Sequence, residues 1–229
     1  MTTLLRIDSS ARVTRSITRE LADRFLDAWR STEPDAKVIV RDVGQDPPPV
    51  VNEDWIRAAF VQPEKRTKQM HDALSVSDEL IDEVQQADVL VISTPLYNYG
   101  LPASLKAWVD QVVRIGRVFS FDPDRGDFPI ESELSGKSMV VLSSRGEFGF
   151  KPGEPRDGWN HLNPHLRTIA TQLFGIAEHD IYEIASEYQE FGGDRHRASR
   201  EAAFAEVVSL GEQLASARKP TRGDQVVTA

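Results

Sequence analysis

Asp88-Val-Leu-Val-Ile-Ser-Thr-Pro-Leu-Tyr-Asn-Tyr-Gly-Leu-Pro102 holds an apolar run that stops at Pro95. This is the pattern of a strand buried on both faces, and its carboxyl end opens into a loop. In α/β folds ligands collect at such ends. The loop sets Tyr97 and Tyr99 around Asn98, pairing flat apolar faces with an amide, which suits a planar heterocycle with a polar edge. The same residues also fit a strand, a turn and a core-facing aromatic pair. Pro102 then restarts the chain as a helix, because proline at a first helical position loses no needed hydrogen bond.

Outward from this stretch, strands are read at Leu4 to Asp8, Val38 to Arg41, Val89 to Ser93, Met139 to Ser143 and Asp180 to Ile184. Helices are read at Arg15 to Ser31, Glu53 to His71, Asp78 to Gln86, Pro102 to Arg114, His161 to Phe174 and Arg195 to Ala217. The β-then-α alternation predicts a doubly wound parallel sheet covered on both faces. Ile17, Leu21, Phe25 and Leu26 share one helical face behind a Ser16 cap. Leu105, Trp108, Val109, Val112 and Val113 make a similar stripe and read as core. Gln45 to Val50 and Phe121 to Pro129 read as loops on proline and glycine grounds, the second as an insertion. A single domain over residues 1–217 is expected, with 218–229 as a disordered tail lacking apolar periodicity.

The chain has 229 residues, a net charge of -9 and no cysteine. Mixed acidic and basic residues leave no stripe for nucleic acid and no polybasic patch for a membrane. Without cysteine there are no disulfides, thiolate metal sites or cysteine nucleophile. No segment approaches the ~20 apolar residues of a membrane span, and the run after Met1 is too short for a signal sequence. A soluble, cytoplasmic protein is expected.

Three turns carry candidate chemistry. The first, Asp8 to Thr18, has hydroxyls where a dinucleotide fold would place glycines, and no G-x-G-x-x-G is present. Ser10, Ser16 and Thr18 at a helix amino terminus could cradle a phosphate monoester; alternatively Ser16 only caps its helix while Ser9 and Ser10 satisfy turn backbone. Asp8 would repel a phosphate and is expected to point away or cap a turn. The third turn, Ser143-Ser-Arg-Gly-Glu147, offers close backbone approach at Gly146 and a guanidinium at Arg145. A doubly wound sheet would bring these turns and the tyrosine loop to one edge. His161 and His165 lie one helical turn apart, but Leu162 rather than glutamate follows His161, so no metal is expected. There is no G-x-S-x-G elbow.

Ser9-Ser10 with Ser16 to Thr18, Pro95-Leu-Tyr-Asn-Tyr99, Leu105 to Asp110, Arg114 to Phe119 and Ser144-Arg-Gly146 resemble the FMN-dependent NADH-azoreductases, a flavodoxin-like quinone reductase family. The resemblance runs from the first strand to the last helix. It implies a five-stranded sheet of order 2-1-3-4-5 and a homodimer with one FMN per subunit. It also implies two-electron ping-pong transfer from NADH or NADPH to quinones or aromatic azo compounds. By resemblance, Ser10, Ser16, Ile17 and Thr18 would hold the phosphate and ribityl chain, Leu96, Tyr97, Asn98 and Tyr99 would border the isoalloxazine, and Ser144, Arg145, Gly146 and Glu147 would meet its polar edge. Glu147 stands where the family has a second glycine. Phe119 and Phe121 would belong to the substrate pocket, and with Trp55 and Phe60 they are expected contacts with a second subunit or a satellite core of their own. An NAD(P)H:FMN reductase releasing reduced flavin and a flavodoxin-type electron carrier are the competing functions.

Overall fold

The computed structural model describes residues 1–218. The expected tail therefore lies outside the described residues, apart from Arg218, which ends the last helix. Strands β1 (Thr3–Asp8), β2 (Lys37–Asp42) and β3 (Val89–Pro95) form one sheet with β6 (Ser138–Ser144) and β7 (Ile181–Ser186) in the order β2-β1-β3-β6-β7, every neighbour parallel. A separate hairpin pairs β4 (Phe119–Phe121) with β5 (Ile130–Ser132), Phe119 opposite Ser132. With the hairpin set aside the order is 2-1-3-4-5, the flavodoxin-like arrangement.

The two central strands β3 and β6 are buried along their whole length, which is why Val89 to Pro95 reads as a continuous apolar run rather than an alternation. Successive side chains nonetheless divide between faces. Leu4, Val89, Val91, Val140 and Leu142 pack under helices α1 (Ile17–Thr32) and α6 (Gly193–Arg218). Leu5, Ile7, Leu90, Ile92, Met139 and Val141 pack under α3 (Lys68–Gln86), α4 (Ala103–Val112) and α5 (Asn163–Gln172). Trp108 is fully buried, edge-on to Phe174 at 6.5 Å, and the α4 stripe is core as expected.

Three expected boundaries differ. Helix Glu53 to His71 is not continuous: α2 covers Glu53–Ala59, a 3-10 turn follows at Pro63–Lys65, and α3 starts at Lys68 under a Thr67 cap. Pro63 lacks the N–H a helix needs and forces Gln62 into extended backbone. Conversely, the expected break before Asp78 is absent. Ser75 bonds the Asp72 carbonyl and buried Ser77 bonds the Gln111 carbonyl at 2.6 Å, so tertiary packing holds turn-prone residues in α3. Likewise Asp180 lies in a 3-10 turn and the last strand runs on to Ser186.

Candidate active site

The carboxyl ends of β1, β3 and β6 face one edge of the sheet, and the turns leaving them are stapled together by backbone. Ser9 N donates to the Ser93 carbonyl at 2.9 Å and Leu96 N to that of Ser144 at 2.9 Å. Ser9 Oγ also donates to the Ser93 carbonyl.

In the β1–α1 turn, Ser10 Oγ accepts from Arg12 N at 3.2 Å, and Arg15 adopts a left-handed φ of 56° that swings the chain into the helix. Ser16 caps α1, accepting from Arg19 N at 3.5 Å, and its hydroxyl lies 3.3 Å from that of Thr18. Arg19 holds the outside of the turn. Its guanidinium donates to the Ser10 and Arg12 carbonyls at 2.8 and 2.9 Å and pairs with Asp42 and Asp8. Asp8 is thus engaged by Arg6 and Arg19. Burial alone would raise the Asp42 carboxyl, but the hydrogen bond and charge of Arg19 outweigh it and hold it below the ordinary value. Gly44 backs the same turn: a Cβ there would lie 2.3 Å from the Ser10 carbonyl oxygen. Sequence reading missed Arg19 and Gly44, since neither lies in a recognisable ligand motif.

In the β3–α4 loop, Gly100 N donates to the Tyr97 carbonyl at 2.9 Å, and Asn98 and Tyr99 have φ of 47° and 65°. Two successive left-handed residues make a type I′ turn, which asparagine tolerates and tyrosine resists. Asn98 is exposed at the tip, so its amide is not a core group. Tyr99 leans away to bond Glu147 Oε2 at 2.8 Å and packs on Trp159 and Phe150. The hydrogen bond to Glu147 pushes the Tyr99 phenol above its ordinary value, and the hydrogen bond from Arg156 pulls the Glu147 carboxyl down.

In the turn after β6, Arg145 is buried and committed to Glu187 at 3.0 Å and Asn163 at 3.4 Å. At Gly146 a Cβ would lie 2.7 Å from the Glu190 carboxyl carbon, so a side chain there would have to displace that carboxylate. A fourth segment, after β7, zips onto this turn through Tyr188, Gln189 and Glu190, whose N–H groups donate to the carbonyls of Glu147, Arg145 and Gly146.

These turns enclose a cavity of about 440 Å³. Of the residues expected at a flavin, Ser10, Ser16, Ile17, Leu96, Tyr97, Ser144 and Gly146 border it. Thr18 is buried beneath Ser16, Asn98 sits at the exposed tip, and Tyr99, Arg145 and Glu147 bond to one another's loops or to neighbouring elements instead. Arg12, Arg15, Pro95, Gln189 and Glu190 border it without having been expected. The regular position of Gln189 and Glu190, just beyond a strand in a βα repeat, was the available signal. Phe119 and Phe121 line a different, apolar cavity of about 370 Å³ with Trp55, Phe60, Val113 and Ile115. His161 lies ahead of α5, its N–H donating to the Tyr99 carbonyl, so the one-turn pairing with His165 does not form.

The cavity suits a flavin mononucleotide. Its volume lies within the ~300–1,000 Å³ of small-molecule sites. One end carries hydroxyls, a helix amino terminus and two guanidiniums, Arg12 and Arg15, without ion pairs among the described residues. The other offers Leu96 and Tyr97 and a backbone approach at Gly146.

Comparison with known proteins agrees. A family model described as flavodoxin-like fold matches residues 2–210. An FMN-dependent NADH:quinone oxidoreductase of Idiomarina loihiensis is 49% identical over 93% of this chain and 91% of its own. The chain belongs to this flavodoxin-like oxidoreductase family. An FMN-dependent NAD(P)H:quinone oxidoreductase of Pseudomonas aeruginosa is 41% identical over 92% of this chain and 98% of its own. Among solved structures, an FMN-dependent NADH-azoreductase from Bacillus anthracis in complex with FMN superposes with a TM-score of 0.81 at 17% identity, over 94% of this chain and all of that one. At that identity the likeness concerns the fold.

Proposed function

We propose that this chain binds FMN in the 440 Å³ cavity and passes two electrons from NADH or NADPH to a quinone or an aromatic azo compound, donor and acceptor occupying the site in turn. The observation that carries this reading is the meeting, in one cavity, of a phosphate-type turn, a tyrosine loop and a glycine approach, in a chain about half identical to FMN-dependent NADH:quinone oxidoreductases. Bound FMN supplies hydride acceptance and donation at its N5.

The chain supplies position and charge. Ser10, Ser16 and the first-turn amides of α1, with Arg12 and Arg15, hold the phosphate, and Ile17 borders the ribityl chain. Thr18 braces the Ser16 hydroxyl and Arg19 fixes the turn from outside. Leu96 and Tyr97 border the ring, with Asn98 at the open side, and Ser144 and Gly146 meet its polar edge. Arg145, Glu147 and Tyr99 act by positioning: the Tyr99–Glu147–Arg156 chain ties two of the loops together.

The apolar cavity beside the hairpin supports a homodimer. Phe60 and Phe121, which line it, are 74% and 53% exposed, and Ile130, paired with Phe121 across the hairpin, is 44% exposed, a patch that water penalises and a second copy would cover. Phe119 and Phe121 would reach substrate from that interface. No helix among the described residues is long and apolar enough to cross a membrane, and the reading places the protein in the cytoplasm, where its donor is replenished.

Purified protein should be yellow with an FMN chromophore and should oxidise NADH when given a quinone. A protein that retains no flavin on gel filtration and leaves NADH untouched with FMN and quinone supplied refutes the proposal.

A further inference from the structure

A second cavity, about 710 Å³, adjoins the first beyond the phosphate end. Arg12, Arg15, Ile17 and Gln189 border both. On its far side stand His196, in the first turn of α6, and Arg200 one turn on. Glu20 also lines it, but Arg24 at 3.0 Å and Arg200 at 2.7 Å pair with that carboxylate. The balance is positive, since Arg12 and Arg15 have no ion pair among the described residues. His196 Nε2 has no hydrogen-bond partner among those residues and is shut from solvent, so a ligand in the cavity completes it only when the imidazole turns toward that space. The amino termini of α1 and α6 converge here, adding unpaired amides and two positive dipole ends.

We propose that this second cavity takes the pyrophosphate and adenosine half of the NADH or NADPH donor. The inference rests on the flavin reading above. A nicotinamide stacked on the flavin ring lies about as far along its own chain from its pyrophosphate as that ring lies along the ribityl chain from the FMN phosphate. A donor laid parallel to the ribityl chain therefore delivers its pyrophosphate at the shared wall of Arg12 and Arg15. The adenosine then has a space of the usual size for a ligand fragment. Arg12 and Arg15 would serve both anions, whereas His196 and Arg200 border only the second cavity. Recognition at a distance from the reacting atoms would raise donor affinity without occupying the place where the acceptor stacks, as alternating occupancy requires.

The test uses the FMN-loaded protein and ADP-ribose, which lacks nicotinamide and cannot react. ADP-ribose is expected to bind by calorimetry and to compete with NADH in initial-rate assays. His196→Glu should weaken ADP-ribose binding and raise the NADH KM by about tenfold, the scale of one lost charge-assisted contact, with the FMN dissociation constant within a factor of two. Arg200→Gln, a milder change against a folding failure in the first variant, should move both in the same direction. FMN-loaded variants that bind ADP-ribose and NADH as the wild type does, or a wild type in which ADP-ribose does not compete, would overturn this assignment and leave the flavin reading standing. A protein that never loads FMN overturns both.

Discussion

Gly44→Ala should damage the flavin site without replacing any residue that borders it. Gly44 N donates to the Asp8 carbonyl at 3.0 Å, and this seats the glycine against the phosphate turn. An added methyl would lie 2.3 Å from the Ser10 carbonyl oxygen, 2.8 Å from its carbonyl carbon and 3.0 Å from that of Ser9, all backbone. An ordinary contact begins near 3.4 Å, so the turn must retreat by about 1 Å, and no side-chain rotation can absorb it. Arg19, bonded to the Ser10 and Arg12 carbonyls and to Asp42, resists that movement. Overpacking of this kind costs ~1–3 kcal/mol, which lowers the apoprotein melting temperature by roughly 2–12 °C at ~2–4 °C per kcal/mol for a chain of this length. The retreat also moves Ser10 against Ser16, and losing one charge-assisted hydrogen bond to the phosphate, ~1.5–3 kcal/mol, weakens FMN binding by about ten- to a hundredfold. Quenching of flavin fluorescence on titration and thermal melts of the apoprotein measure the two effects. A Gly44→Ala protein that melts within a degree of wild type and binds FMN equally well would show that this contact does not hold the turn.

Ser16→Asp places a negative charge at the phosphate end of the cavity. FMN at about a hundred times its wild-type dissociation constant should stabilise the wild type by ~2.7 kcal/mol and the variant by much less, and equal shifts in melting temperature would remove Ser16 from the phosphate site. Asn98→Ala should weaken FMN binding or slow NADH oxidation while lowering apoprotein melting only slightly; if Asn98→Gly, which accepts the left-handed φ without strain, restores full activity, the residue serves the turn alone. Phe60→Glu and Phe121→Glu should each yield monomers by light scattering at micromolar concentration, and a dimer persisting in both would place the interface elsewhere. Asp42, whose carboxyl the Arg19 guanidinium holds below the ordinary carboxylate value, contributes stability that is present above the unfolded value and fades as pH falls through the folded one. Denaturant titrations should therefore find wild type ahead of Asp42→Asn by a constant margin from neutral pH to about pH 5, with the margin narrowing below that; a margin that grows with acid contradicts the Arg19 pairing.

How far each feature was readable follows from the range of the forces behind it. The strand run Val89 to Ser93, the α4 stripe around Trp108 and the Ser16 cap depend on neighbours within a turn or on an unbroken local apolar run, so the chain itself specifies them. The convergence of the turns at Ser10, Tyr97 and Gly146 also followed, since parallel βα repeats deliver successive turns to one edge. The long α3 did not follow, because the partners of the Ser77 hydroxyl, the Gln111 carbonyl and the Arg114 guanidinium, lie more than thirty positions away. Nor did the roles of Arg145 and Glu147: both sit in the expected turn, yet Glu187, Asn163, Tyr99 and Arg156 claim their charges and leave Gly146 to border the cavity. Gly44 and Arg19 were silent for the same reason, since each acts through a backbone carbonyl that only the folded chain brings near. Periodicity and motif thus determined which elements form and where their turns gather. Which side chain in a turn borders the cavity was decided by tertiary structure, because a charged group goes to whatever partner folding places beside it.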